Sequence, residues 1–371
     1  EAAVIHKIRQ LLTHRNVYVL GQNFTYDTQY IYRYWRFIPR LRFDTLVAQG
    51  LLWPGLPKAL DFLSSMYCRH HLYWKDDGKL WDPTVSEEQL WSYNCVDACR
   101  TFEIHLEQQD AITKLNLTDQ YHYLISLWYA VLRMMITGVR IDKKARSTMA
   151  MELMTALSDR DNWFQQVLGH PLNPRSPKQM GVLFYEDLRA PVQKNRKTGN
   201  VTLDDKALEK IRSRAPLLAP LIKTIQDYRS IGVFLSTFVQ APLDVDERMR
   251  CSYNIVGTET FRFNSSENPF GSGTNLQNIP TRTELGRKVR NGFIAEPGNL
   301  LLSVDYSQIE LRIVAAMSGD EAMTAAFQAG QDIHATTSAA VYGVSLEDVS
   351  KAMRRHAKAI NFGLIYGMSA F

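Results

Sequence analysis

Cysteine is scarce in this chain. The 371 residues hold four, Cys68, Cys95, Cys99 and Cys251, and no Cys-x-x-Cys pair. That rules against a disulfide scaffold, and the four read as reduced, largely buried thiols of an intracellular protein. Cys68-Arg69-His70-His71 has metal-capable side chains, but no second cluster follows at zinc spacing, so no zinc site is expected. No apolar run reaches membrane-spanning length, and the first residues lack a signal-peptide pattern. A large charge excess is missing too. Lys and Arg total 43 against 38 Asp and Glu, a formal +5, which permits a nucleic-acid partner without selecting one. The length suffices for two or three domains with cores. The start at Glu1-Ala2-Ala3 without Met, and the stop at Phe371 just after a helical run, read as ends cut from a longer chain.

The most informative stretch is the last. Arg354, Lys358, Phe362 and Tyr366 recur every fourth residue. On a helix that spacing lays them along one slowly drifting stripe, two cations followed by two aromatic rings. A nucleoside triphosphate has the same two parts, phosphates that suit a guanidinium and an ammonium and a base that suits an aromatic face. An amphipathic helix with a solvated basic end would show the same pattern. Upstream, Leu300 to Val304 is a continuous apolar run that predicts a buried strand with Asp305 at its exit. Ser307-Gln308-Ile309-Glu310 then matches a capping box before a helix from Leu311 to Met317.

The segment from Leu300 to Arg312 resembles motif A of the family A DNA polymerases, and the segment from Arg354 to Gly367 resembles their motif B. The resemblance implies template-directed DNA synthesis by a two-Mg²⁺ mechanism, with primer-template DNA and deoxynucleoside triphosphates as partners. Under it, Asp305 is a catalytic metal ligand. Glu310 closes the space beside the sugar 2′ carbon, and Gln308 belongs to the nucleotide site. Arg354 and Lys358 grip the triphosphate, with Lys358 also placed to protonate departing pyrophosphate. His334, in Asp332-Ile333-His334, contacts the phosphates. Phe362 stacks on the nucleotide, and Tyr366 closes over the template position. The family's second carboxylate sits in a later His-Asp-Glu motif, which does not occur in these residues, so residues 1–371 alone are expected to be inactive.

Other segments fit the same pattern. Thr258 to Arg262 followed by Asn275-Leu276-Gln277-Asn278-Ile279-Pro280 resembles the segment that touches the primer terminus and minor groove, which assigns DNA contacts to Arg262, Asn275, Gln277, Asn278 and Arg282. Tyr253 to Phe263 reads as alternating strand residues. Phe261 stands where the usual pattern has Gly, and the stretch from Glu267 to Thr274 is extra. Residues 143–240 read as long helices broken by two loops. The second loop carries Lys194, Arg196 and Lys197, basic residues suited to phosphates and therefore to salt-sensitive binding.

Near the start, Val17 to Leu20 predicts a short buried strand ending at Gly21. The following Asn23…Asp27 resembles the second motif of the 3′–5′ proofreading exonucleases, and Tyr93…Asp97 their third. The resemblance makes Asp97 a metal ligand, Tyr93 the residue that orients the attacking water, and Asp27 a support for a second metal through water. The alternative reading of these residues is local: Asp27 as a helix cap, Tyr93 and Asp97 as i, i+4 neighbours. The exonucleases' opening Asp-x-Glu has no counterpart here.

Together these give a multidomain α/β and α+β expectation: a ribonuclease H-like exonuclease fold, then a right-hand polymerase with thumb, partial palm and partial fingers. The boundaries are 1–110 for the exonuclease-like domain and 111–371 for the polymerase domain. Within the latter lie the way into the palm (119–142), thumb (143–240), palm (241–318) and fingers (319–371). The expected protein is a monomer without membrane attachment, in the cytoplasm of a bacterial or phage-infected cell or in an organelle. A stand-alone exonuclease resembling the ribonuclease D group would not need the nucleotide-binding helix. A non-catalytic DNA-binding relative would not need Asp305, Lys358 and Tyr366.

Overall fold

The computed structural model describes residues 1–368 apart from Leu80, Trp81, Pro83, Val85, Arg196, Lys197, Arg282 and the Lys79 side chain. Two compact units divide the chain, Glu1–Leu300 and Leu301–Phe371. In the first, helix α1 (Ala2–Thr13) leads to strand β1 (Val19–Gly21), helix α2 (Phe24–Trp35) and strand β2 (Leu41–Asp44). Helices α3 (Thr45–Leu52), α4 (Leu60–Tyr67), α5 (Lys75–Lys79), α6 (Glu87–Lys114) and α7 (Thr118–Thr137) follow. β1 and β2 pair in parallel, Val19 opposite Leu41. Asp44 ends β2 and caps α3, its carboxylate accepting from the Leu46 N–H at 2.9 Å. The same carboxylate accepts from the N–H groups of Asn23 (3.1 Å) and Phe24 (2.8 Å), which ties the start of α2 to the start of α3. Burial pushes the Asp44 carboxyl up to about 6, although the backbone donors pull it the other way.

α7 covers the outer edge of β2. The Tyr121 hydroxyl accepts from the Asp44 N–H at 2.8 Å and the Tyr129 hydroxyl donates to the Leu41 carbonyl at 2.9 Å. These tyrosines do for β2 what a further strand would do for its backbone groups. The core beneath joins Leu41, Phe43 and Val47 to Tyr121, Trp128 and Leu132 of α7 and to Ile255 and Val256. It therefore crosses the 110/111 boundary drawn from sequence, and α6 runs unbroken through that point.

Gly138 ends α7 with φ +61°, and a Cβ there would meet Arg250 Cγ at 2.5 Å and the Met249 carbonyl oxygen at 2.8 Å. Only glycine lets the chain turn this close to its neighbour. Strand β3 (Val139–Ile141) then pairs antiparallel with β4 (Arg248–Met249) and β7 (Phe293–Ile294). Between β3 and β4 lie helices α8 (Lys143–Leu168), α9 (Pro177–Gly181), α10 (Asp205–Arg214) and α11 (Ala219–Phe234). Phe164, Met180, Phe184, Leu208, Ile222 and Ile225 form one buried cluster among them. As expected, this region is helical and interrupted by two loops. A bridge between Lys194 and Val201 closes the second loop.

Several local expectations are corrected. The run 253–263 is not one strand. Strand β5 (Ser252–Asn254) turns back to pair with β6 (Asn264–Ser266), because the Asn254 side chain accepts from the Val256 N–H at 2.9 Å and starts a turn. Helix α12 (Glu284–Asn291) precedes β7. The apolar run from Leu300 to Val304 is not a buried strand either. It is irregular, with Leu300 94%, Leu302 88% and Val304 82% exposed. β-propensity makes a strand only beside a pairing edge, and no described strand lies within it. Finally, of the cysteines only Cys251 is buried; Cys95 and Cys99 lie exposed on α6.

The second unit is helical among its described residues: α13 (Ile309–Ser318), α14 (Glu321–Gln328), α15 (Ile333–Tyr342) and α16 (Lys351–Ile365). The Ser307–Glu310 capping box does not form. Gln308 occupies the N-cap in a left-handed conformation, φ 52°, without a side-chain cap bond, so the helix begins after Ser307. No described helix is long and apolar enough to cross a membrane.

Candidate functional site

α16 starts under the Ser350 side chain, which accepts from the Met353 N–H at 3.2 Å. Ala357, fully buried, marks its inward face, while Arg354 and Lys358 are exposed and Phe362 is half-buried. The expected stripe of two cations and two rings is present. Lys358 Nζ lies 5.6 Å from the centre of the Phe362 ring, within reach of its negative face. Tyr366, at the end of α16, donates its hydroxyl to Glu310 Oε2 at 3.1 Å, which joins it to the first turn of α13.

α15 packs beside α16 and supplies the partners that sequence reading missed. Asp332 caps α15, accepting from the His334 N–H at 2.9 Å, and also binds Arg354 Nε at 2.6 Å. Burial alone would raise the Asp332 carboxyl; the Arg354 pair and backbone donors outweigh it and hold the group below its usual range. Arg354 thus has one N–H committed to a carboxylate. His334 is 2% exposed, with its ring 5.7 Å from that of Phe362. Burial lowers its pKa, which favours the neutral ring. The Asn361 amide stands 3.2 Å from His334 Nδ1 and 3.1 Å from Thr337 Oγ1. With the amide donating to Nδ1, the ring proton sits on Nε2. Gln308 Oε1 is buried without a hydrogen-bond partner. Asp305 lies in the exposed segment before α13.

In the first unit, Asn275 Oδ1 accepts from Ser265 Oγ at 2.5 Å and from the Gln277 N–H at 3.1 Å, while Gln277 Nε2 donates to the Phe263 carbonyl at 3.1 Å. Arg262, Gln277, Asn278 and Lys194 are exposed. Arg196, Lys197 and Arg282 lie outside the described residues. The extra stretch packs against α2: Phe270 meets Tyr30 edge-on at 4.8 Å, and Ser272 donates to Asp244 at 2.7 Å.

Tyr93 and Asp97 share one face of α6, opposite α5. Lys75 Nζ donates to Tyr93 Oη (3.0 Å) and to both carboxylate oxygens of Asp97 (2.8 and 2.9 Å). Trp74 Nε1 donates to the same carboxylate at 2.6 Å. Asp27 lies exposed in the first turn of α2, whose N-cap is Asn23, so it does not cap that helix. No hydrogen bond among the described residues joins Asp27 to Tyr93 or Asp97, and no described group of three or more His, Cys, Asp or Glu gathers at metal-binding distance.

The family model for DNA polymerase family A matches residues 143–371. This chain belongs to DNA polymerase family A. It is 33% identical to DNA polymerase I of Lactococcus lactis subsp. lactis over 90% of this chain, and 33% identical to DNA polymerase I of Bacillus subtilis over 89%. It spans 38% and 37% of those relatives' lengths. Among solved structures it resembles the POL domain of Pol1 from M. smegmatis in complex with DNA primer-template and dNTP. There the TM-score is 0.71 and the identity 26%, over 90% of this chain and 55% of that one.

Family A polymerases as a group depend on Mg²⁺, and the candidate metal residues Asp305 and Asp97 differ in fit. Asp305 is exposed and offers hard oxygen ligands, the donor type Mg²⁺ prefers. Asp97 has both oxygens engaged by an ammonium and an indole N–H, which does not fit a metal ligand as it stands. Lys75, Trp74, Asp332 and Asn361 were invisible as site residues in sequence. Only Asp332 left a trace, as an Asp just before a helix-forming run.

Proposed function

We propose that this chain carries the nucleotide-selecting and primer-handling parts of a DNA-directed DNA polymerase. The observation that carries this is the α15–α16 pair. It sets Arg354, Lys358, Phe362 and Tyr366 in one stripe, backs Phe362 with His334, and ties Tyr366 to Glu310. An incoming deoxynucleoside triphosphate would lay its phosphates toward Arg354, Lys358 and the Nε2–H of His334, with its base against Phe362. The primer 3′-hydroxyl would give up its proton to water as its oxygen bonds the α-phosphorus, the bond from that phosphorus to the α,β-bridging oxygen breaks, and Lys358 is placed to hand the departing pyrophosphate a proton. Glu310, held by the Tyr366 hydroxyl, would fill the volume a ribose 2′-hydroxyl needs. Asp305 would hold Mg²⁺, whose contribution is to neutralise phosphate charge and activate the attacking hydroxyl. Arg262, Asn275, Gln277 and Asn278 would meet the primer-template. The parallel β1–β2 pair with Asp27, Tyr93 and Asp97 supports a ribonuclease H-like, exonuclease-type origin for residues 1–110. The protein would work in the cytoplasm as a monomer.

Primer extension by the protein that carries these residues tests the reading. Lys358→Ala should lower nucleotide incorporation by about 10- to 100-fold, the loss of one charge-assisted hydrogen bond. Glu310→Ala should raise ribonucleotide incorporation relative to deoxynucleotide. Extension indifferent to Lys358 would remove the triphosphate assignment.

A further inference from the structure

We propose that Asn361 is a positioning residue for nucleotide binding: its amide sets the His334 ring so that Nε2 presents a proton, not a lone pair, to the triphosphate. The inference rests on the reading of His334 as a phosphate contact. What it adds is the group that decides what His334 can offer. Asn361 lies three residues beyond Lys358 and seven beyond Arg354, on the same side of α16 as both cations. His334 and Thr337 lie three apart on α15 and share one face of it. The Asn361 amide nitrogen reaches both, 3.2 Å from His334 Nδ1 and 3.1 Å from Thr337 Oγ1. An amide nitrogen carries two N–H groups, and here it has two acceptors. Nδ1 then turns its lone pair to Asn361, and the proton of the neutral ring is left to Nε2. Among the described residues Nε2 makes no hydrogen bond, so that N–H is unspent.

The opposite arrangement shows why the amide matters. With the amide turned over, Oδ1 would face the same two groups. Nδ1 would then carry the proton, Thr337 would donate, and Nε2 would aim a lone pair at phosphate oxygens, which have only lone pairs to offer. The ring has little room to correct this by rotating, since His334 is 2% exposed and its ring stands 5.7 Å from that of Phe362. A doubly protonated ring would also donate through Nε2, but its surroundings disfavour it. Burial acts first against the charge, Arg354 and Lys358 on α16 act in the same sense, and Asp332 at the start of α15 opposes them. A donor aimed at Nδ1 adds to that preference, because Nδ1 is where the second proton would go. His334 thus brings a third donor to Arg354 and Lys358 without a third positive charge.

Two measurements test this. The first is the nitrogen-15 spectrum of residues 1–371 labelled at histidine, with the His334 signals identified by their loss in His334→Gln. Wild type should show the neutral ring protonated at Nε2. Asn361→Asp, whose carboxylate accepts from Nδ1–H, should raise the His334 titration midpoint by about one pH unit or more. The second is primer extension by the protein that carries these residues. Asn361→Leu should raise the KM for deoxynucleoside triphosphate about three- to tenfold, the loss of one neutral hydrogen bond, and should add nothing in a His334→Gln background. A wild-type ring protonated at Nδ1 overturns the inference without any variant, whatever the variants' stability. An equal rise in KM in both backgrounds also overturns it, since Asn361 would then act without His334. So does an unchanged KM in Asn361→Leu where His334→Gln alone raises it. If His334→Gln itself leaves the KM unchanged, the reading of His334 as a phosphate contact fails, and the inference fails with it.

Discussion

Phe261 holds a left-handed backbone, φ 58°, at the place where the family pattern usually has glycine. For a residue with a Cβ that conformation costs about 1–2 kcal/mol. Its ring packs, half-buried, against the core built on Phe43, Trp128 and Val256, which offsets the cost. Phe261→Ala should lose the packing and keep the strain, destabilising by about 2 kcal/mol. Phe261→Gly should lose the same packing but recover about 1 kcal/mol of it. Urea denaturation of the three proteins checks this, and an alanine variant as stable as the glycine variant would remove the strain. Sequence marked the position as a departure from pattern. It could not say whether the backbone had changed to suit phenylalanine or phenylalanine had been forced to suit the backbone, since φ is set by the turn that β5 and β6 share.

Among the elements, the junction of α2, β2 and α3 depends most on one side chain. Asp44 accepts from three backbone N–H groups at the starts of α2 and α3. Asp44→Ala should cost about 2–4 kcal/mol, a lost cap plus buried donors left unpaired. Asp44→Asn keeps part of the cap and should cost less. Because burial raises the folded-state pKa to about 6, the folded protein holds this proton at a pH where the unfolded chain, near 4, has released it. Its contribution is therefore greatest below about pH 4 and is lost as pH rises through about 6. The stability difference between wild type and Asp44→Asn should shrink over that interval, as denaturation at pH 4, 5, 6 and 7 would show; a difference that grows would reverse the assignment. Helices were the legible elements. α7 with its glycine stop and α16 with its four-residue stripe follow from spacing that a helix enforces on its own. The strand expected at Leu300 to Val304 was not legible, because a strand exists only through a neighbour.

The molecule divides at Leu300 into units with unequal cores. The first contains several clusters, each with Phe, Leu and Ile side chains at 8% exposure or less. The second gathers Leu311, Ala326 and Ile333, with Met323 and Phe327 at the edge. Apolar burial scales stability, and local opening follows it. Amides of α13–α16 should exchange with deuterium faster than those of α7, α8 and α11 when measured by mass spectrometry. Equal protection would mean the two units open as one. The sequence by itself determined what runs along the chain: the helices, the glycine stop after α7, the basic-then-aromatic order of α16, and through those motifs the family. Such features arise from residues within one turn of each other, where covalent geometry fixes the spacing. The tertiary structure alone decided the pairs. Lys75 reaches Asp97 and Asp332 reaches Arg354, each across 22 residues, and Asn361 reaches His334 across 27. Which helix face meets which depends on packing of the whole unit, so the charge state and hydrogen-bond partners of the site residues exist only once the chain has folded.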